Sequence, residues 1–146
     1  MSEQLFVYGS LLHTIPSQMA SFLRENAHFI GEAYIKGRLY DLGAYPALRY
    51  DEEEKKEVFG HLYEIPNPPF CFMILDQYEG IHTDRPEEDE YRRAKCPVKV
   101  QGQMTEAWVY LYNFAISGKK EIKSGNYLHF LETKATQNHR DFIDSV

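Results

Sequence analysis

Between Phe29 and Leu42 the chain alternates in character. Ala33, Ile35, Gly37 and Leu39 fall on one side, and Tyr34, Lys36 and Arg38 on the other. Successive side chains of an extended chain point to opposite faces. A period of two therefore predicts a strand with one face on a core and the other in water. Gly37 marks a bulge or a bend within it. Further strand-like runs flank this one: Leu5 onward, Tyr45-Pro46-Ala47-Leu48, Val58–Ile65, Tyr91–Val100 and Glu106–Tyr112. The last two are joined by a turn at Gln101-Gly102-Gln103. Trp108–Tyr112 is apolar throughout and predicts burial on both faces. Pro46 cannot donate to a ladder, so it belongs at an edge or a strand end.

Helical signals are fewer. Ser17 is placed to cap a short helix through Leu23, with Met19, Phe22 and Leu23 on its apolar face. Phe70–Tyr78 reads as a second helix, packing through Phe70, Ile74 and Tyr78, or through Met73 and Leu75. Pro66 and Pro68-Pro69 precede it and Gly80 stops it. Tyr127, Phe130 and Leu131 have helical spacing in a tail that is polar from Asn138 onward and is expected to dock loosely. Asp51–Lys56 reads as a solvated hairpin tip, and His82–Glu90 as an exposed acidic loop. Strands outnumber helices, so the fold class is α+β with a mostly antiparallel sheet. Periodicity leaves open whether that sheet closes. No repeat or linker divides the 146 residues, which suit one domain spanning 1–146.

Charge and special residues narrow the function classes. The net charge is 16 − 22 = −6, which argues against a general nucleic-acid or anionic-membrane binder. Cys71 and Cys96 have no metal-ligand spacing and are expected as buried thiols in a reducing compartment. The start, Met1-Ser2-Glu3-Gln4, has no basic n-region and no long apolar run follows. Neither a signal peptide nor a membrane span is expected, and the cytoplasm is the expected location. The six histidines, His13, His28, His61, His82, His129 and His139, lack metal-binding spacing. His13 follows the first loop and reads as a solvated histidine. No GxSxG elbow surrounds Ser10, which argues against a nucleophilic serine.

Two segments carry candidate chemistry. Leu5-Phe6-Val7-Tyr8-Gly9-Ser10-Leu11-Leu12 is an apolar strand running into a glycine turn. Backbone N–H groups after such a turn can converge on an anion or a developing oxyanion. Tyr8 is either a ligand-facing hydroxyl or a core tyrosine. Glu79 ends the second predicted helix among aromatic residues. Loss of water there raises a carboxyl pKa toward the working range of a general base.

These segments, in this order, resemble the gamma-glutamylcyclotransferase-like (AIG2-like) family. Tyr8-Gly9-Ser10-Leu11 is similar to the end of its first strand. Leu75-Asp76-Gln77-Tyr78-Glu79-Gly80 is similar to the motif holding its catalytic glutamate, and Tyr91-Arg92-Arg93 to its Tyr-x-Arg strand start. Gly43-Ala44-Tyr45-Pro46-Ala47 and Ile122-Lys123-Ser124-Gly125-Asn126-Tyr127 resemble two further family segments. The likeness covers about residues 5 to 127. It implies a small mixed, mostly antiparallel β-barrel with flanking helices and a cavity at its mouth. The implied activity closes a γ-glutamyl group into 5-oxoproline and releases an amine or amino acid, with no metal or organic cofactor. Its implied partner is a small γ-glutamyl substrate.

By that resemblance Glu79 is the catalytic acid/base, and Tyr8, Gly9, Ser10 and Leu11 bind substrate. Arg93 is expected as a structural ion pair. A binding module that keeps the cavity without turnover is the alternative, and another acyl or amide chemistry on the same site a third reading. Two departures stand out. The segment Thr83–Asp89 lengthens the gap between Glu79 and Tyr91, and Asn126 stands where aspartate is common. The acidic loop through Glu90 is expected to lie over the leaving-group side and favour cationic amines.

Overall fold

The alternating run forms one strand of 14 residues, His28–Asp41, and the rest of the sheet is organised around it. A computed structural model describes residues 3–9, 11–12, 17–81 and 84–144, with side chains as far as 136. The elements in chain order are β1 (Glu3–Val7), α1 (Gln18–Asn26), β2 (His28–Asp41), β3 (Pro46–Tyr50), β4 (Glu57–Ile65) and α2 (Pro68–Tyr78). They continue with β5 (Tyr91–Val100), β6 (Gln103–Tyr112), β7 (Lys120–Glu121) and α3 (Tyr127–Asp144).

The sheet closes. β2 pairs with β4, β4 with β1, β1 with β6, β6 with β5, and β5 returns to β2 at Ala33↔Val100 and Tyr34↔Lys99. This is a mixed five-stranded barrel in an α+β fold. β1 runs parallel to β6, and the other described pairings are antiparallel. β2 belongs to the barrel as far as Lys36. From Gly37 it changes partner and pairs with β3, then with β7 at Tyr40 and Asp41. Gly37 is therefore the bend, and the bulge lies upstream, between Phe29 and Gly31.

Alternation holds along β2: Ala33, Ile35 and Leu39 are buried while Tyr34 and Lys36 are exposed. Leu5, Phe6, Leu62, Tyr63 and Ile65 from β1 and β4 complete the barrel interior. Each such side chain contributes about 1.5–3 kcal/mol by leaving water. Pro46 opens the strand β3, where its missing N–H costs nothing to the ladder. Residues 51–56 are solvated but are no hairpin tip, because β2 lies between β3 and β4 in the sheet. Glu54 there bonds Arg38 at 2.8 Å, and Arg38 and Lys56 both reach Glu121 of β7.

The first helix starts as its cap predicts, with Ala20 N–H donating to Ser17 Oγ at 3.1 Å, and runs to Asn26. In α2 the packed face differs from expectation. Cys71, Phe72 and Leu75 are buried, while Phe70, Met73 and Tyr78 are exposed. The run Phe70-Cys71-Phe72-Met73-Ile74-Leu75 is apolar on every face, so its pattern fixes no rotation about the helix axis. A polar anchor does. Asp76 faces the barrel and takes Arg93 Nε at 2.9 Å. Cys71 and Cys96 are buried and free, and burial pushes both thiols up. No described helix is long and apolar enough to cross a membrane.

Candidate active site

The chain leaves the sheet after Val7, and Leu12 N–H closes a tight turn on Gly9 C=O at 2.9 Å. Beside this turn a cavity of about 440 Å³ opens. Tyr8, Gly9 and Leu11 line it from one side, Glu79 from the end of α2, and Tyr45 and Glu90 from two further segments. Four of the five expected site residues thus share one cavity. Ser10 lies outside the described residues, as does His13.

Gly9 is needed here for its wall. A Cβ on Gly9 would stand 2.8 Å from Pro46 Cγ and 2.9 Å from Pro46 Cδ, well inside contact distance. The absent side chain admits the Pro46 ring, which the sequence reading had assigned to a ligand. This packing sets how closely the turn after β1 approaches β3.

The tyrosine hydroxyls are already committed. Tyr8 donates to Tyr110 C=O, Tyr91 donates to Pro46 C=O at 2.7 Å, and Tyr110 donates to Asp76 Oδ1 at 2.7 Å. Burial raises the pKa of all three, so they stay protonated at neutral pH. With their protons in use, they offer a ligand only acceptor lone pairs. An anion in this cavity must find its donors elsewhere, and the backbone N–H groups of the turn are the available kind.

Glu79 is the C-cap residue of α2, with φ −80° and ψ 0°. Gly80 follows at φ +74°, a left-handed conformation that glycine adopts without strain. Gly80 N–H bonds Gln77 C=O at 3.1 Å, and Ile81 N–H bonds Asp76 C=O at 2.9 Å. These two bonds form a Schellman cap and fix the backbone of Glu79 in place. Burial pushes the Glu79 carboxyl up from 4.5 to about 7, and the negative charges of Glu90 and Asp76 push the same way. A group that titrates near neutrality accepts and returns protons with little cost in either direction.

Asp76 is tied down on three sides. Arg93 reaches it through Nε at 2.9 Å and Nη2 at 3.2 Å, and the Tyr110 hydroxyl reaches the same carboxylate. The guanidinium lies 4.2 Å over Phe72 and 4.5 Å over Trp108. Arg93 does not line the cavity. It is the structural partner that holds the end of α2, and with it Glu79, against β5 and β6.

The loop before β5 divides differently from expectation. Asp84 to Glu88 are exposed, Asp89 is buried, and none of residues 84–89 lines the cavity. Asn113 Nδ2 donates to the carbonyls of Pro86 and Asp89 and ties this loop to the end of β6. Glu90 alone of the acidic run reaches the cavity. Sequence gave no sign of that, because Glu90 stands among Glu87, Glu88 and Asp89. Asn126 is remote from the cavity. Its Oδ1 accepts from His129 N–H at 3.1 Å at the start of α3, a capping role that asparagine and aspartate fill equally.

Comparison with known proteins agrees with this geometry. A model of the family described as gamma-glutamyl cyclotransferase, AIG2-like, matches residues 5–129. The gamma-glutamylcyclotransferase family protein YtfP of Escherichia coli is 32% identical over 126 residues, 86% of this chain and 96% of YtfP. Its solution structure superposes with a TM-score of 0.59. YkqA of Bacillus subtilis is 25% identical with a TM-score of 0.69, over 92% of this chain and 43% of YkqA. An aig2-like protein of Mus musculus has the same fold, at 24% identity and a TM-score of 0.60 over 78% of this chain and 80% of its own.

Proposed function

Because the chain belongs to the gamma-glutamyl cyclotransferase, AIG2-like family, we propose that it converts a γ-glutamyl amide into 5-oxoproline and a free amine. The observation that carries this reading is Glu79. It is a half-buried carboxyl raised to about 7, in the same cavity as the turn after β1.

The reaction is an intramolecular aminolysis. The substrate's α-nitrogen bonds to its own γ-carbonyl carbon, and the bond from that carbon to the leaving nitrogen breaks. Two protons leave the α-ammonium in all, and two arrive at the leaving nitrogen, which departs as an ammonium. Glu79 carries them one at a time, as base toward the α-nitrogen and as acid toward the leaving nitrogen. Confinement in the cavity holds amine and carbonyl in the folded pose, where they react at high effective concentration. Backbone N–H groups around Gly9, Ser10 and Leu11 bind the α-carboxylate or the tetrahedral oxyanion. Tyr8 supplies part of the wall, its own proton being given to Tyr110.

The test is direct. Purified protein is incubated with a panel of γ-glutamyl amides, and 5-oxoproline is quantified. Its time-dependent release from at least one member supports the reading. A panel left intact at high enzyme concentration, by protein that is folded, removes it.

A further inference from the structure

The cavity contains a second carboxylate that the reaction above leaves unused. Glu90 lines it together with Glu79, and no lysine, arginine or histidine stands among its described lining residues. The Tyr45 hydroxyl bonds to the Glu90 carboxylate. Tyr45 is 39% exposed, whereas Tyr8 and Tyr110 are buried. The Tyr45–Glu90 pair therefore sits toward the open side, and the tyrosine floor lies deeper. Oε1 of Glu90 is buried and accepts no hydrogen bond from the described residues. A carboxylate oxygen stripped of water and left without a donor is costly, and such groups in native folds call for a ligand, an ion or a function.

The direction of the substrate follows from the same layout. The glutamyl part is held between Glu79 and the turn after β1. Whatever is attached to its γ-carbonyl must run toward the open side, past Tyr45 and Glu90. A leaving amino acid would bring its own carboxylate into a passage already holding two carboxylates and no described cation, which disfavours it. A leaving amine with a second ammonium group would give Glu90 the donor it lacks. The exposed acids Asp84, Glu87 and Glu88 add only a long-range field that salt screens.

We propose that Glu90, oriented by Tyr45, determines specificity on the leaving-group side by binding a second ammonium group, so that the substrate is a γ-glutamyl diamine or polyamine. This rests on the γ-glutamyl cyclotransferase reading of the cavity and names the substrate class within it.

The test compares two ligands of equal length, γ-glutamyl-diaminobutane and γ-glutamyl-pentylamine, which differ by an ammonium in place of a methyl group. Binding is measured by calorimetry on Glu79→Gln, and on Glu79→Gln combined with Glu90→Gln. The diamine conjugate should bind Glu79→Gln at least about tenfold tighter, the scale of one hydrogen bond to a charged group. The Glu90→Gln change should abolish that preference. Tyr45→Phe, at an exposed position, should reduce it several-fold and serves if the double variant fails to fold. Equal binding of the two ligands, no binding of either, or a preference that survives both Glu90→Gln and Tyr45→Phe overturns the assignment. A separate arm follows 5-oxoproline release by the wild-type protein from both conjugates. Absence of product there, with the binding preference intact, removes the reaction and leaves the Glu90 subsite standing.

Discussion

Replacing Glu79 by glutamine should stabilise this protein in alkaline solution and do little in acid. The carboxyl has a pKa of about 7 in the fold against an ordinary value of 4.5. A folded pKa above the unfolded one means that the native state holds its proton more tightly. The stability this contributes is full below about 4.5, declines as pH rises, and is gone above about 7. The gap of about 2.5 pH units, at ~1.4 kcal/mol each, is worth about 3.4 kcal/mol. Part is lost already at about pH 5, so about 2.5 kcal/mol remains to be lost between pH 5 and pH 8.5. Glutamine mimics the protonated group and has nothing to lose. Urea unfolding of both proteins at these two pH values isolates the effect, because every other titrating group is common to the pair. The variant should gain on the wild type by about 2–3 kcal/mol as pH rises. Parallel pH dependences would refute the argument, since they would mean that Glu79 is solvated like an ordinary surface glutamate.

Three further outcomes follow from the geometry. Gly9→Ala drives a methyl group against the Pro46 ring and should cost about 1–3 kcal/mol in urea unfolding, the usual range for overpacking; an unchanged midpoint would mean that the turn moves freely. Arg93→Met leaves the Asp76 carboxylate, about a quarter exposed, without its two-point partner. That should cost about 2–4 kcal/mol, with Asp76→Asn in the same chain recovering part of the loss in a double-mutant cycle. Crystals soaked in formate or 5-oxoproline should show the carboxylate on backbone N–H groups of the turn after β1, and an anion found repeatedly elsewhere with that turn empty would count against its assigned role.

Parts of this molecule were plain in the sequence for identifiable reasons. β2 announced itself because its two faces meet different solvents, so Ala33, Ile35 and Leu39 had to differ from Tyr34 and Lys36. The turn at Gln101-Gly102 was visible because its backbone demands positive φ at both positions, 52° and 78°. Closure of the barrel was not legible from pattern, since its seam is only two residue pairs between β2 and β5. The family resemblance supplied what periodicity could not. The rotation of α2 was hidden because that helix is apolar all round, and a salt bridge to a distant strand settles it. Glu90 was hidden for the opposite reason. Four successive acidic residues look alike in sequence, and only the start of β5, fixed by Asn113 N–H on Glu90 C=O at 2.7 Å, carries the last of them into the cavity.

The central claim is that Glu79 moves the protons in a cyclisation that yields 5-oxoproline. The measurement closest to it is the initial rate of 5-oxoproline release from one γ-glutamyl amide by the wild type and by Glu79→Gln, at matched concentration and with the folded state of each verified. The account predicts steady release by the wild type and a rate at least about a hundredfold lower for the variant, the scale on which a general acid–base group acts. A folded Glu79→Gln variant that releases 5-oxoproline at close to the wild-type rate would contradict it.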